Sequence, residues 1–244
     1  MKGSKPQKRT ARLSGLLERS SRLISRVAGE DGAMISSIEY NSTGVIPGSL
    51  FVAIEGAESD GHSYVRDALA RGAAGALVSA GRVSEFEDLR GKAALLSSPD
   101  TRRALSALSA AFYGDPSSGM LVIGVTGTNG KTSITYMLES ILKEAGREAG
   151  VIGTINYRWK GREAPAPNTT PESRDVQAMM RAMADDGVDA LVMEVSSHGL
   201  KLGRVDDVEF DAAIFTNLTR DHLDFHLTFE DYFASKLLLF DLVG

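Results

Sequence analysis

The chain has 244 residues, a formal charge of −5, 43% hydrophobic and 24% charged residues, and no cysteine. That length allows one large or two small domains with real cores. The composition excludes disulfides, thiolate metal sites and thiol nucleophiles. It also argues against a broad nucleic-acid surface, and no apolar run approaches the ~18 residues of a membrane span.

The first residues are basic (Lys2, Lys5, Lys8, Arg9, Arg12) and read as a solvated terminus rather than a secretion signal, because no apolar core follows them. The cytoplasm is the expected location. Residues 10–28 read as a helix with Leu13, Leu16, Leu17, Leu23 and Ile24 on a rough apolar face. A short strand is expected around Ser36–Tyr40, and Pro47-Gly48 marks a turn before a buried-type strand at Leu50–Ile54. Residues 62–71 read as helix, Ala73–Val78 and Ala93–Leu96 as strands, and Thr101–Tyr113 as helix. Gly114-Asp115-Pro116-Ser117-Ser118-Gly119 reads as a linker, which puts the domains at 1–115 and 116–244. Beyond it strands and helices alternate: strand 121–125, helix 131–145, strand 149–153, helix 172–187, strands 189–195 and 210–216, helix 229–240. The expected fold class is α/β: a small N-terminal α/β domain, then a P-loop-type, mainly parallel sheet covered by helices.

The string Gly124-Val125-Thr126-Gly127-Thr128-Asn129-Gly130-Lys131-Thr132-Ser133 joins the strand at 121–125 to the following helix. Strand, glycine loop and helix with Lys-Thr at the turn make a phosphate cradle. Backbone N–H groups and the helix N-terminus attract anionic oxygens, Lys131 reaches the outer phosphates, and the Thr132 hydroxyl can ligate Mg²⁺. Residues 127–133 are therefore the candidate ATP loop, although the commonest form of this motif has glycine where Val125 stands.

Ligands in such folds gather at the carboxyl ends of strands, and the further strings of interest follow strands or precede helices, with one lysine inside a helix. Asn168-Thr169-Thr170-Pro171-Glu172-Ser173 precedes a helix and either caps it or presents hydroxyls to an anionic substrate. Glu194 ends the apolar run Ala190–Met193, so it either holds a metal ion or emerges into solvent. Thr219-Arg220-Asp221-His222-Leu223-Asp224-Phe225-His226 is a metal or phosphate site or a charged solvent loop. Lys236, alone among apolar helical residues, reads on spacing as a snorkelling lysine.

Together these strings resemble the Mur ligase family, and within it the branch that completes the tripeptide. The resemblance rests on Thr126–Thr132, Asn168–Pro171, Met193-Glu194-Val195-Ser196-Ser197-His198-Gly199-Leu200 and Phe215–Asp224, joined by Pro47–Ile54 and Asp60-Gly61-His62 in the N-terminal part. The loop alone would fit the wider superfamily, including folylpolyglutamate synthetases, but those place it much nearer their start. The resemblance implies ATP-dependent amide formation in peptidoglycan precursor synthesis: an acyl phosphate forms on UDP-MurNAc-L-Ala-D-Glu and is attacked by a diamino acid. It implies that Glu194 and His222 ligate Mg²⁺ and that Lys236 becomes a carbamate able to do the same. Lys131, Glu194, His222 and Lys236 form the implied catalytic set, with Thr132, Glu194, His222 and Lys236 as metal ligands. It also implies that Ser42, Thr169, Thr170, Ser196 and Arg204 contact the UDP-MurNAc-peptide.

Two departures stand out. The family commonly has Asp-Ser-Arg where this chain has Asn41-Ser42-Thr43, so an arginine is missing. Mur ligases have three domains, and the resemblance stops within the central one. The expectation is a monomeric partial chain without the amino-acid-binding domain, inactive alone, with a non-catalytic binding fragment as the alternative.

Overall fold

The computed structural model describes residues 9–29, 32–56, 59–221 and 223–244. The chain divides into two compact units, residues 1–113 and 114–244.

The first unit contains β1 (Ala11–Arg12), α1 (Leu13–Arg19), β2 (Ser25–Ala28), β3 (Met34–Ile35), β4 (Ser37–Glu39), β5 (Ser49–Val52), α2 (Val65–Ala70), β6 (Gly75–Ser79), β7 (Ala94–Ser98) and α3 (Thr101–Tyr113). Its five-stranded sheet runs β2-β7-β6-β5-β4, with β4 to β7 parallel and β2 antiparallel on the edge. Successive side chains of a strand point to opposite faces. Leu50 and Val52 accordingly join Leu13, Leu16, Leu105 and Leu108 in one core, while Phe51 and Ala53 join Val65, Ala68 and Phe86 in another. Both faces are buried, which is why β5 reads as a continuous apolar run.

The helix expected over residues 10–28 is not one element. Leu13 and Leu16 do sit in the core from α1, but α1 ends at Arg19, and the Ser20-Ser21-Arg22 turn redirects the chain into β2. Leu23 and Ile24 reach the same core from that turn, so apolar residues of two elements imitate one helical face.

The second unit contains β8 (Leu121–Thr126), α4 (Lys131–Glu144), β9 (Ala149–Ile152), β10 (Asn156–Trp159), β11 (Arg162–Pro165), α5 (Ser173–Asp185), β12 (Ala190–Glu194), α6 (Ser197–Lys201), β13 (Ala212–Phe215), α7 (Leu223–His226) and α8 (Phe229–Asp241). Its sheet has the order β11-β10-β9-β12-β8-β13. Strands β9, β12, β8 and β13 are parallel, and the β10–β11 hairpin adds antiparallel strands at one edge. Leu191 and Met193 pack with Val176, Met180, Phe210 and Leu239, while Ala190 and Val192 pack on the opposite face with Val125 and Leu142. The segment read as a linker is packed: Pro116–Gly119 forms a 3-10 turn with Pro116 and Ser117 buried, and the Ser117 hydroxyl accepts the Glu209 N–H at 3.2 Å. No helix among the described residues is long and apolar enough to cross a membrane.

Candidate functional site

The ends of β8, β9, β12 and β13 converge on the loop between β8 and α4. Gly127 has φ 132°, and a Cβ there would lie 2.0 Å from Thr216 Oγ1, so only glycine lets the loop lie against the segment after β13. Gly130, at φ 84°, is the N-cap of α4 and contributes no capping side chain, which leaves first-turn N–H groups to an anion. The loop is strapped down by its neighbour. Thr128 N–H donates to Asn217 O (2.9 Å) and Asn129 N–H to Asn217 Oδ1 (3.1 Å), while Asn217 Nδ2 and Thr216 Oγ1 donate to Asn129 O (3.0 and 2.7 Å). Ser133, in the first turn of α4, is exposed.

Two lysines meet at this loop. Lys131 Nζ donates to Gly127 O and Thr128 O, both at 2.9 Å. Lys236, 2% exposed, reaches from α8 to the same Gly127 O at 2.8 Å. Burial, then the charge of Lys131, push Lys236 down to about 8, against the pull of Asp221. Burial also lowers Lys131, opposed by Glu194 and Asp221. The Lys236 Nζ lies 4.4 Å from the ring centroid of Tyr232, an attractive position over the ring face.

Glu194 is 1% exposed at the end of β12, so the solvent reading of this carboxylate fails. It accepts hydrogen bonds from Thr154 N–H (3.0 Å), Thr154 Oγ1 (2.9 Å) and Thr132 Oγ1 (3.1 Å). A Cβ at Gly153 would lie 2.5 Å from its Oε1, so glycine makes room for the carboxylate. Hard divalent cations take oxygen ligands, and Glu194 with the Thr132 hydroxyl supplies an oxygen set of that kind. Lys236 as an ammonium is a donor and does not belong to it.

The Thr-Thr-Pro segment adjoins this carboxylate. Thr154 Oγ1 and Thr169 Oγ1 are 3.1 Å apart. Thr170 Oγ1 donates to Glu194 O (3.1 Å) and accepts Ser196 N–H (2.9 Å), and Arg204 Nη1 donates to Thr170 O (2.9 Å). Ser196 is the N-cap of α6, its hydroxyl accepting the Gly199 N–H at 3.1 Å. The N-cap of α5 is Glu172 rather than a threonine.

Ser42 lies in the first unit, 6% exposed, on the wall of a cavity of about 410 Å³ shared with Tyr40, Asn41, Thr43, Ile54 and Tyr64. Asn41 Oδ1 accepts both the backbone N–H and the hydroxyl of Thr43, at 3.0 and 2.9 Å.

His222 lies outside the described residues. His226 is fully buried, with Nε2 2.8 Å from Ser197 Oγ and Nδ1 3.5 Å from Asp231 Oδ2, and burial lowers its pKa. Among the described residues Glu55, Asp60 and His62 could close on a cation. However, His62 Nε2 accepts the Ser79 N–H at 3.0 Å, so its proton sits on Nδ1 and is donated to Asp60 Oδ1 at 2.7 Å, while Asp60 Oδ2 takes Arg82. This trio is an internal latch of the first unit. Burial would raise Asp60, but the hydrogen bonds from Arg82 and His62 outweigh it and hold the carboxyl at about 2.

Three participants escaped the sequence reading: Thr154, which grips Glu194 twice, Asn217, which straps the loop, and Tyr232, whose hydroxyl lies 2.9 Å from Thr128 Oγ1. Thr154 follows β9, so the strand-end rule that flagged Glu194 applied to it equally.

Residues 125–244 match the family profile described as Mur ligase middle domain, and residues 34–113 match Mur ligase family, catalytic domain. The chain belongs to the Mur ligase family. It is 44% identical over 228 residues to the UDP-N-acetylmuramoyl-L-alanyl-D-glutamate--2,6-diaminopimelate ligase of Geobacter sulfurreducens, an alignment covering 92% of this chain and 43% of that protein. The Bacillus licheniformis protein of the same name is 47% identical over 217 residues, covering 89% of this chain and 43% of its own. The chain thus spans less than half the length of these curated relatives. A solved structure of a protein with the same name superposes with a TM-score of 0.76 at 24% identity, covering 94% of this Mur ligase chain and 46% of that one, and shows the shared fold.

Proposed function

We propose that this chain supplies the nucleotide-sugar- and ATP-binding parts of an ATP-dependent amide ligase that adds a diamino acid to UDP-MurNAc-L-Ala-D-Glu. Residues 1–115 hold the UDP-MurNAc portion and residues 116–244 hold ATP. The reading is carried by Glu194, a buried carboxylate hydrogen-bonded to the Thr132 hydroxyl beside a glycine loop on which two lysines converge.

The two reacting anions, the D-glutamate carboxylate and the γ-phosphate, repel each other, and the site must neutralise them and hold them in line. The N–H groups of residues 127–133 cradle the phosphates, and Lys131 turns from the Gly127 carbonyl to the outer phosphates. Thr132, Glu194, His222 and a carbamylated Lys236 would hold Mg²⁺, which would supply positive charge against the two anions. A lysine depressed to about 8 has a neutral fraction near neutral pH. That amine adds to CO₂, forming an N–C bond and releasing a proton. Thr169, Thr170, Ser196 and Arg204 contact the peptide end of the substrate, and Ser42 contacts the uridine in its cavity. The carboxylate oxygen takes the γ-phosphoryl group of ATP, releasing ADP, and the amine of the diamino acid then attacks the acyl carbon, releasing phosphate and a proton.

Calorimetry on residues 1–244 tests the reading. Binding of ADP with Mg²⁺, and separately of UDP-MurNAc-L-Ala-D-Glu, is expected; binding of neither overturns it. ADP release from ATP, requiring the nucleotide-sugar peptide and either meso-diaminopimelate or L-lysine, would identify the amino acid added and refute the expectation that this chain is inactive alone; no release assigns the activity to a longer chain.

A further inference from the structure

Helix α8 touches the phosphate loop at two points one turn apart: Lys236 Nζ on Gly127 O at 2.8 Å, and Tyr232 OH on Thr128 Oγ1 at 2.9 Å. Tyr232 is fully buried. The Thr128 hydroxyl also receives the Thr219 N–H (3.0 Å) and lies 3.2 Å from Thr219 O. A hydroxyl donates once and accepts twice. Donating to Thr219 O and accepting from Thr219 N–H, it has one lone pair left, so Tyr232 is the donor.

The two attachments differ in one respect. Lys131 must leave Gly127 O and Thr128 O to reach a phosphate, and a Lys236 turned into an anionic carbamate no longer donates to Gly127 O. Both events strip the loop of bonds it makes to lysines. The Tyr232–Thr128 bond involves neither lysine and survives both.

We propose that Tyr232 is a positioning residue for the phosphate loop, keeping it docked on α8 once the lysines have released the Gly127 carbonyl, so that nucleotide meets a loop already in place. This rests on the nucleotide reading above. The Tyr232 hydroxyl acts through Thr128, while its ring lies under the Lys236 amine, a contact that a phenylalanine keeps.

The test is the ADP affinity of residues 1–244 with Mg²⁺, measured by calorimetry well below the unfolding temperature, so that every variant is fully folded. Tyr232→Phe removes only the hydroxyl and is expected to weaken ADP about fivefold, the scale of one neutral hydrogen bond. Thr128→Val removes the partner and weakens binding at least as much. The double variant is no weaker than Thr128→Val alone, because both changes delete the same bond. Thr128→Ser keeps the hydroxyl and is expected to recover most of the affinity lost in Thr128→Val. Unchanged affinity in Tyr232→Phe, or fully additive losses in the double variant, overturns the proposal while leaving the nucleotide site standing. If the parent chain itself fails to bind ADP, the nucleotide reading falls and this inference falls with it.

Discussion

Lys131 and Lys236 point their ammonium groups at one atom, the carbonyl oxygen of Gly127, at 2.9 and 2.8 Å. Lost hydration lowers the pKa of both lysines, and for Lys236 the neighbouring charge of Lys131 lowers it further. Bringing phosphates to the loop relieves that repulsion.

Lys131→Ala is expected to abolish ADP and ATP binding at millimolar ligand, a loss of about a hundredfold or more, because the outer phosphates lose the side-chain cation that meets them. Calorimetry on the variant reads this directly, and an unchanged affinity would sink the assignment of the loop. The same change removes a neighbouring cation, so Lys236 should titrate above its present value of about 8.

The pH dependence of stability follows from the same pair. Lys236 is held at about 8 against its ordinary 10.5, so between these values the unfolded chain binds more protons than the folded one. Stability therefore rises as pH goes from about 8 toward 10.5, and the strain of burying the cation is fully present below 8. The rise is on the order of 1–3 kcal/mol. Urea midpoints at pH 7.5 and 9.5 should show it, and Lys236→Met should flatten most of it, Lys131 supplying the rest in the same direction.

Gly127→Ala should destabilise the second unit by about 3 kcal/mol or more. It combines a left-handed backbone position with a Cβ that would fall 2.0 Å from Thr216 Oγ1. Denaturant unfolding checks the size. Gly130→Ala, with nothing within 4 Å of the new Cβ, meets only the backbone term at φ 84° and should cost about 1 kcal/mol.

Gly153→Ala acts on chemistry more than on folding. Its Cβ would press on Glu194 Oε1 from 2.5 Å and displace the carboxylate. The expected result is ADP affinity that no longer responds to Mg²⁺, the loss being about tenfold as for disturbed ligand positioning. Glu194→Gln should behave alike while keeping the fold. Retained Mg²⁺ dependence in both would remove Glu194 from the metal set.

Legibility in the sequence followed burial and periodicity. Thr101–Tyr113 is one amphipathic helix, and β8, β9, β12 and β13 are short apolar runs. The β10–β11 hairpin was missed because β11 is exposed along its whole length and shows no alternation. Gly161 was the one cue to its turn, where Lys160 and Gly161 both adopt positive φ, as a two-residue hairpin turn requires. In the site, Glu194 and the lysines announce themselves as charge in apolar strings. Thr154, Asn217 and Tyr232 do not: position after β9 was the one cue for Thr154, and a neutral hydroxyl or amide does not stand out from its string as a charge does.

The two rims of the six-stranded sheet are unequal. On one side β11 presents Arg162, Glu163 and a terminal Pro165, a charged and proline-blocked border that discourages further pairing. On the other, β13 presents Ala-Ala-Ile-Phe beside the half-exposed Phe233 and Phe240 of α8. Any backbone that docks on this sheet, from the same polypeptide or another, has one receptive border. Concentration-dependent self-association should accordingly begin at residues 212–215 and be suppressed by a lysine introduced on that strand.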